Sequence, residues 1–551
     1  MQSEQNEGRG ETPETNGRER WVVAGVFAAI AVAYLATVSP VWFVHPDSAK
    51  YLGLARSLAY GKGYTFNYMP HGKYVPVFPL LLAPVWMTMG RDFVAMQVVV
   101  ALTGLGALVA TVALVRAREG ARVAFWILVL TATCGWFWTA SSLRLLAEAP
   151  YACFSMIALW YAERQTRAES FSAARWVLAG VLGAAAIYTH MVGVALVVAL
   201  PAGAFLAGGR ERTWRQRFAS AFIVGIIVTS AAGYWIYRGS QLSHLSSYKH
   251  HVDLAESQPL QYQLFRMGLR LKEWPATALS LRESQFVWQS GLALFAVFLI
   301  PGLVKGFRRH RNCAEFYIVS FFFVSALGGG ESGLERYAIP IVPLIFYFGY
   351  LSLTVVGHGI ARGVARLGAP ERIARRIPRI VLVTMTVFVL ANATYNRVKR
   401  SRGASKFDAE RQESARRELK RWEGLADAIA DKVPADARIY PASGGLWDLV
   451  HFLTERKLFN LTRHHRKRLP LFKSMVEWGA DYMIYDHRSR SRRRFETVLV
   501  DYPQCFKLIY VAEDDTVKDM ARLYQLDKEK VREVLAELEK QAPPAPGGAG
   551  H

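Results

Sequence analysis

The chain has 551 residues, 52% of them hydrophobic and 13% aromatic, with a formal net charge of +23. A soluble protein with that charge would point to nucleic acid, but here much of the charge lies in short loops between long apolar runs, the topology signal of a membrane protein. No nucleic-acid partner is therefore expected. The four cysteines, Cys134, Cys153, Cys313 and Cys505, form no CxxC pair and no Cys/His ligand spacing, so neither a disulfide framework nor a zinc site is indicated.

Residues 1–20 are polar and charged and read as a disordered cytoplasmic tail. The apolar run after them, residues 21–38, is too long for a signal-peptide core and lacks a small-residue cleavage site, so it reads as a retained transmembrane helix. Residues 39–92 are mixed and polar, with one apolar run at 75–89 that is interrupted by Pro76, Pro79 and Pro84. Charge decides its placement. Later apolar runs are flanked by basic loops at 116–122, 164–167, 210–217, 305–311 and 362–379. If 75–89 crossed the bilayer, these loops would all lie outside; if it lies in the interface, they all lie inside, as the positive-inside rule requires. It is therefore expected as a juxtamembrane helix in the first outer loop.

The expected architecture is an α-helical polytopic membrane protein with about eleven transmembrane helices and a small C-terminal α/β soluble domain. The spans fall near 21–38, 93–114, 123–140, 149–162, 176–188, 192–206, 218–237, 287–304, 315–328, 337–356 and 380–394. The membrane domain then covers 21–399, and the odd count places residues 400–541 outside the cell, in the plasma (inner) membrane of a multi-pass protein. In that last part, 411–432 has helical periodicity, 437–441 and 482–485 read as strands, 446–453 as a helix, 505–512 as a strand and 516–541 as one or two helices. The Pro/Gly-rich tail 542–551 reads as disordered.

Three features on the outer face carry chemistry. The first is Trp42-Phe-Val-His-Pro-Asp47-Ser-Ala-Lys50-Tyr51, in which Pro46 restarts the chain as a helix and Asp47 sits near its N-terminus. Asp47 can be a helix cap there, a catalytic base, or both. The second is Glu148 in Arg144-Leu-Leu-Ala-Glu148-Ala-Pro150, a carboxylate near an apolar helix end, which is costly unless it meets water or a partner. Arg144 is its local candidate partner, and a favourable place on the helix dipole is the structural alternative. The third is Glu335-Arg336-Tyr337-Ala-Ile-Pro340, where a guanidinium suits the two oxygens of a lipid phosphate and otherwise serves as an interfacial anchor.

Taken in order, these features resemble a known family. An acidic first loop is followed by Ala-Arg56-x-Leu-Ala-x-Gly-x-Gly-Tyr64, Pro76-x-x-Pro79-Leu-Leu-Leu-Ala, Leu-Leu-Ala-Glu148-Ala-Pro150 and Arg336-Tyr337-x-x-Pro340-x-x-Pro343. The set looks like the polytopic glycosyltransferases of the C superfamily, and within it the branch of protein O-mannosyltransferases and the lipid A aminoarabinose transferase. The resemblance implies a polyprenyl-phosphate sugar as donor, a lipid, glycan or protein acceptor, surrounding membrane lipids, and inversion at the anomeric carbon. It implies Asp47 as general base and Glu148 as a second active-site carboxylate. Arg336, with Lys50 and Arg56, would bind the donor phosphate, and Tyr51 and Tyr337 would line the cavity. His190 stands at a Thr189-His190 turn where many relatives carry Thr-Arg. A neutral imidazole is a weaker phosphate ligand, so His190 is expected as a turn residue beside the cavity.

Lys249-His250-His251-Val-Asp253 is the one segment that suggests a metal, but adjacent histidines alternate in direction and no second cluster has ligand spacing. No cofactor is expected; a divalent metal stays open but is not indicated. The basic runs at 464–468 and 488–494 read as solvated faces. The competing reading is a lipid or glycan transporter or flippase, which would normally show internal repeats and broken helices near the midplane. No clear repeat is present, and the chemically capable residues gather on one face.

Overall fold

The computed structural model describes residues 17–207, 212–242, 296–328, 334–402, 404–441, 446–458, 468–486, 492–514 and 517–541, with isolated positions between 261 and 278. The His250/His251 segment, the first half of the expected span at 287–304, and the larger part of both basic runs lie outside the described residues. The chain forms two compact units. The first comprises residues 1–39, 94–234 and 251–400, and the second 40–93, 235–250 and 401–551.

The first unit is helical. Helices Gly17–Ala36, Phe93–Glu119, Glu148–Thr166, Ala173–Ile187, Ala195–Leu206, Trp214–Gln241, Cys313–Gly328, Val342–Arg366 and Glu371–Arg402 coincide with expected spans. By length and composition, three stretches can cross a membrane: Phe93–Glu119, Trp214–Gln241 and Arg336–Arg366. The pair Ala121–Thr133 and Gly135–Ser142 makes a fourth if taken as one span, bent by 66°. The other expected spans among the described residues fall short in length or in hydropathy, so the count of eleven is not reached there. The bend falls at Cys134, which leaves helical geometry (φ −61°, ψ 118°) and starts the next helix. Tyr34 ties the first helix to this corner, its hydroxyl donating to the Ala132 carbonyl at 3.0 Å.

Close helix contacts rest on glycine. A Cβ at Gly302 would fall 1.9 Å from the Phe348 carbonyl oxygen, so these backbones approach only because no side chain intervenes. Gly302 N–H also donates to Ser352 Oγ at 2.6 Å. Arg118 is a correction to the reading of 116–122 as a basic loop. It lies inside helix Phe93–Glu119 and is fully buried. Its Nε donates to Glu163 Oε2 at 2.8 Å and its Nη1 to Glu315 Oε1 at 2.6 Å. Arg167 adds a second guanidinium 3.7 Å from Glu163 Oε2, and main-chain donors complete the cluster: Ala314 N–H reaches Glu163 and Asn312 N–H reaches Glu315.

The second unit joins residues 40–93 to the C-terminal region, so the expected boundary at residue 400 does not separate them. The loop folds as helix Pro46–Ala59, a two-stranded hairpin of β1 (Thr65–Phe66) and β2 (Met69–Pro70), and helix Val77–Met89. The hairpin turns through Asn67 and Tyr68, both with positive φ (53° and 60°), as a two-residue hairpin loop demands. Gly53 lies flush against the ring of Phe66, where a Cβ would be 2.6 Å from Cε2.

In the C-terminal region, β3 (Ile439–Pro441), β4 (Tyr482–Asp486), β5 (Phe506–Asp514) and β6 (Val517–Leu526) form a sheet in the order β3-β4-β6-β5. β3 and β4 are parallel and the other pairs antiparallel. Residues 517–526, expected as helix, are thus a central strand. Ala521 and Leu523 are buried two positions apart, and that two-residue spacing won over the charged, helix-like composition. Helix follows only at Lys528–Gln541.

Candidate functional site

The environment of Asp47 is built entirely within the second unit. Helix Pro46–Ala59 begins with Pro46 at its first position, and its N-cap is His45, whose Nδ1 accepts the Asp47 N–H at 3.1 Å. Ser48 Oγ donates to the His45 carbonyl at 2.7 Å and accepts Trp42 Nε1–H at 2.9 Å, which fixes the start of the helix. The capping role considered for Asp47 therefore belongs to His45. Asp47 keeps a partly exposed carboxylate (30%) in the first turn. Tyr74 donates to its Oδ1 at 2.6 Å, and His45 Nδ1 lies 3.8 Å from its Oδ2.

Tyr74 is buried, and burial together with the Asp47 charge holds its phenol well above the usual range, so it stays a donor at physiological pH. Its ring stacks on His71 (centroids 5.5 Å apart, 21° between planes) and meets Tyr51 edge-on at 4.8 Å. Tyr51 also packs edge-on against Phe78 at 4.9 Å and is 4% exposed. Expected as a cavity-lining group, it is instead a buried support behind Tyr74. His71 is buried, and burial reinforced by Lys50, Lys73 and Arg238 pushes it down to about 3, so it is neutral.

Lys50 and Arg56, expected as phosphate ligands, are engaged by the C-terminal region. Lys50 Nζ lies 2.9 Å from Asp448 Oδ2 on helix Leu446–Thr454. Arg56 Nη1 donates to the Phe452 carbonyl at 2.8 Å and pairs with Glu455 at 3.2 Å. The hairpin adds a latch. Asn67 N–H donates to His451 Nε2 at 2.9 Å, its Nδ2 donates to the Leu458 carbonyl at 2.6 Å, and its Oδ1 accepts Leu458 N–H at 2.9 Å. Tyr68 hydroxyl donates to the Glu455 carbonyl at 2.6 Å. Tyr74 was visible in the sequence only as part of the motif before Pro76. Asp448 and His451 carried no local signal at all.

The other predicted residues lie in the first unit. Glu148 is the first residue of helix Glu148–Thr166 and is buried. Its Oε1 accepts Arg336 Nε–H at 2.7 Å, while its Oε2 is buried with no hydrogen-bond partner among the described residues. The structure thus pairs Glu148 with Arg336 rather than with the neighbouring Arg144. Arg336 stands on a one-turn helix, Leu334–Ala338. His190 caps the short 3-10 helix Met191–Val194, its Nδ1 accepting Val192 N–H at 3.2 Å. Its ring lies 5.8 Å from that of Tyr151 and 6.2 Å from that of Tyr337, at 86° to the latter. His190 and Tyr337 are half-buried. Among the described residues, no group of three or more His, Cys, Asp or Glu side chains is arranged to hold a metal ion.

No family model matches the chain, and no curated protein matches it. Its fold, however, is that of solved structures. The crystal structure of ArnT from Cupriavidus metallidurans bound to undecaprenyl phosphate superposes with a TM-score of 0.57 at 15% identity, over 92% of this chain and 98% of that one. Its apo form gives 0.56 at 15% identity, over 94% and 99%. The archaeal oligosaccharyltransferase AglB from Archaeoglobus fulgidus, in complex with an inhibitory peptide and a dolichol-phosphate, gives 0.53 at 14% identity, over 88% of this chain and 71% of that one. Both are C-superfamily glycosyltransferases, and this chain shares their fold. The likeness extends along nearly the whole length of ArnT, a lipid A aminoarabinose transferase.

Proposed function

We propose that the chain is a glycosyltransferase that moves a sugar from a polyprenyl-phosphate donor to a hydroxyl acceptor on the outer face of the plasma membrane, inverting the anomeric centre. The observation that carries this reading is the setting of Asp47. Its backbone is capped by His45, its Oδ1 is oriented by Tyr74, and its carboxylate keeps partial access to solvent. A carboxylate held in this way suits a general base, because an acceptor alcohol becomes a competent nucleophile only as its proton leaves. The fold supports the reading, since ArnT was solved with undecaprenyl phosphate and AglB with dolichol-phosphate.

The acceptor oxygen attacks the anomeric carbon as its proton passes to Asp47. The bond from that carbon to the phosphate oxygen breaks, and polyprenyl phosphate leaves with its electron pair. A single displacement inverts the centre. Arg336 is assigned to the departing phosphate, where a permanent cation stabilises developing negative charge. Glu148 holds the Arg336 side chain in place at 2.7 Å. Lys50 and Arg56, held by Asp448 and Glu455 of the C-terminal region, are left out of the phosphate assignment, which for Arg336 rests on the resemblance of its Arg-Tyr-x-x-Pro motif. The proposed setting is a multi-pass protein of about eleven spans, with its chemistry and C-terminal region extracytoplasmic.

The test is Asp47→Asn, with sugar release from radiolabelled polyprenyl-phosphate sugars in membranes and mass spectrometry of envelope glycans and glycolipids in a deletion strain. The variant should insert and fold normally and lose transfer by about a hundredfold or more. Wild-type transfer by Asp47→Asn would overturn the base assignment. An unchanged envelope in the deletion strain would overturn the activity.

A further inference from the structure

Asp448 is a buried acid that the proposed transfer does not use. Its side chain is 2% exposed, and its Oδ1 has no hydrogen-bond partner among the described residues. An acid so placed is costly unless it is compensated. Its compensation is Lys50, 2.9 Å from Oδ2 and itself only 14% exposed. Lys50 stands three residues after Asp47 on helix Pro46–Ala59. Residues so spaced share one face of a helix, with Cβ atoms about 5–6 Å apart. The Lys50 ammonium also lies over the ring of Tyr74, 5.4 Å from its centroid, and that ring's hydroxyl binds Asp47. One cation thus stands on the helix face of Asp47 while its ammonium lies 2.9 Å from the buried carboxylate of Asp448.

We propose that Asp448 is a positioning residue for the transfer: by holding Lys50 it keeps that ammonium from pairing with Asp47 and so preserves the basicity of the Asp47 carboxylate. The inference rests on Asp47 being the general base. An ammonium in direct contact would stabilise the Asp47 anion and make it a poorer proton acceptor. The C-terminal region, on this view, acts in catalysis without touching substrate, through a charge it holds in place.

The same geometry links the device to pH. Burial pushes the Asp448 carboxyl up to about 6, with Lys50 and Lys73 opposing and Asp47 reinforcing the rise. The titratable and charged groups around the pair include His45, Lys50, Tyr51 and Arg56 on the Asp47 side, His71, Lys73 and Tyr74 from the loop before Val77, Arg238 from helix Trp214–Gln241, and Asp448, His451 and Glu455 from the C-terminal region. As pH falls through about 6, Asp448 takes up a proton, its hold on Lys50 weakens, and Lys50 turns to Asp47. Transfer should fall with it.

A zero-length carbodiimide cross-link on the full-length protein in detergent at neutral pH reads where Lys50 points. Digestion and mass spectrometry should find no Lys50–Asp47 amide in the wild type, where buried Asp448 holds Lys50, and a Lys50–Asp47 amide in Asp448→Asn. Turnover of the radiolabelled endogenous polyprenyl-phosphate sugars in membranes should fall about tenfold in Asp448→Asn, the equivalent of one pK unit. It should return to within about threefold of wild type in Asp448→Asn/Lys50→Gln, where the stray cation is gone. The double variant should also lose the acid limb near pH 6. Absence of the Lys50–Asp47 amide in Asp448→Asn, unaltered turnover in that variant, or no rescue by Lys50→Gln would each overturn the proposal. If Asp47→Asn retains transfer, the base reading falls; the cross-links report the position of Lys50 regardless.

Discussion

Tyr74 places its hydroxyl 2.6 Å from Asp47 Oδ1 and donates to it. A hydrogen bond to a charged acceptor is worth about 1.5–3 kcal/mol, and here it orients the oxygen that the proposed reaction needs. Tyr74→Phe keeps the ring contacts with His71 and Tyr51 and removes only this bond. Transfer should fall about ten- to a hundredfold, mostly in kcat, with the far-ultraviolet circular dichroism unchanged. Steady-state kinetics on membranes check the split; a change confined to KM would count against an orienting role.

The Glu148–Arg336 pair separates stability from function. Removing Arg336 leaves a buried carboxylate uncompensated, at a cost of about 3–5 kcal/mol. Arg336→Gln should therefore lower both thermal stability and transfer. In Glu148→Gln/Arg336→Gln the buried charge is gone, so the unfolding temperature should recover while transfer stays low. Fluorescence-detected size-exclusion after heating measures the first, and sugar release the second.

His451 gives the second unit a defined response to acid. Its Nε2 accepts Asn67 N–H, and its Nδ1 lies 2.8 Å from the Arg456 carbonyl, an arrangement that only the neutral ring satisfies. Burial is the chief cause pushing it down to about 4, against an ordinary value near 6.5. Between those values the unfolded chain binds the proton and the folded one does not. This stabilisation is complete above about pH 6.5 and is lost as pH falls toward 4, by roughly 3 kcal/mol. His71 acts in the same direction, whereas Asp448, raised to about 6, favours the folded state as pH falls. His451→Gln removes one contributor, so its unfolding temperature should fall less steeply between pH 6.5 and 4 than that of the wild type.

Glycine packing provides a structural test. Gly302→Ala forces a methyl into the Phe348 carbonyl and should destabilise by about 3 kcal/mol, the upper end for overpacking. Gly25 has nothing within 4 Å of its would-be Cβ, so Gly25→Ala should be neutral or stabilising by up to about 1 kcal/mol. The two unfolding temperatures should bracket the wild type; coincident values would mean that the Gly302 contact carries no close packing.

Much of the helical framework was legible because apolar length and loop charge are local signals. So was the start of the Asp47 helix, marked by Pro46. What escaped was anything decided by tertiary contact. The cap is His45, acting through an imidazole nitrogen outside the usual Ser, Thr, Asp and Asn set. The partner of Glu148 is 188 positions away, while the sequence offers Arg144 four residues before it. Lys50 and Arg56 look like phosphate ligands when read alone, and only the folded chain brings Asp448 and Glu455 to them. Residues 517–526 look helical by composition and become a strand because β4 and β5 flank them.

The Asn67 latch has a consequence for the order in which the protein is made. Asn67 and His451 are separated by 384 positions, and Asn67 and Leu458 by 391. When residues 40–93 emerge from synthesis, the groups that satisfy Asn67, Lys50 and Arg56 do not yet exist. The loop must wait, with polar groups unpaired and the left-handed turn unsupported, until the last part of the chain arrives. A chain stopped before residue 446 would carry Lys50, Arg56 and Asn67 but none of their far-end partners. Completion of the Asp47 setting is therefore coupled to completion of the polypeptide, and a truncated chain carries the base without the surroundings that tune it.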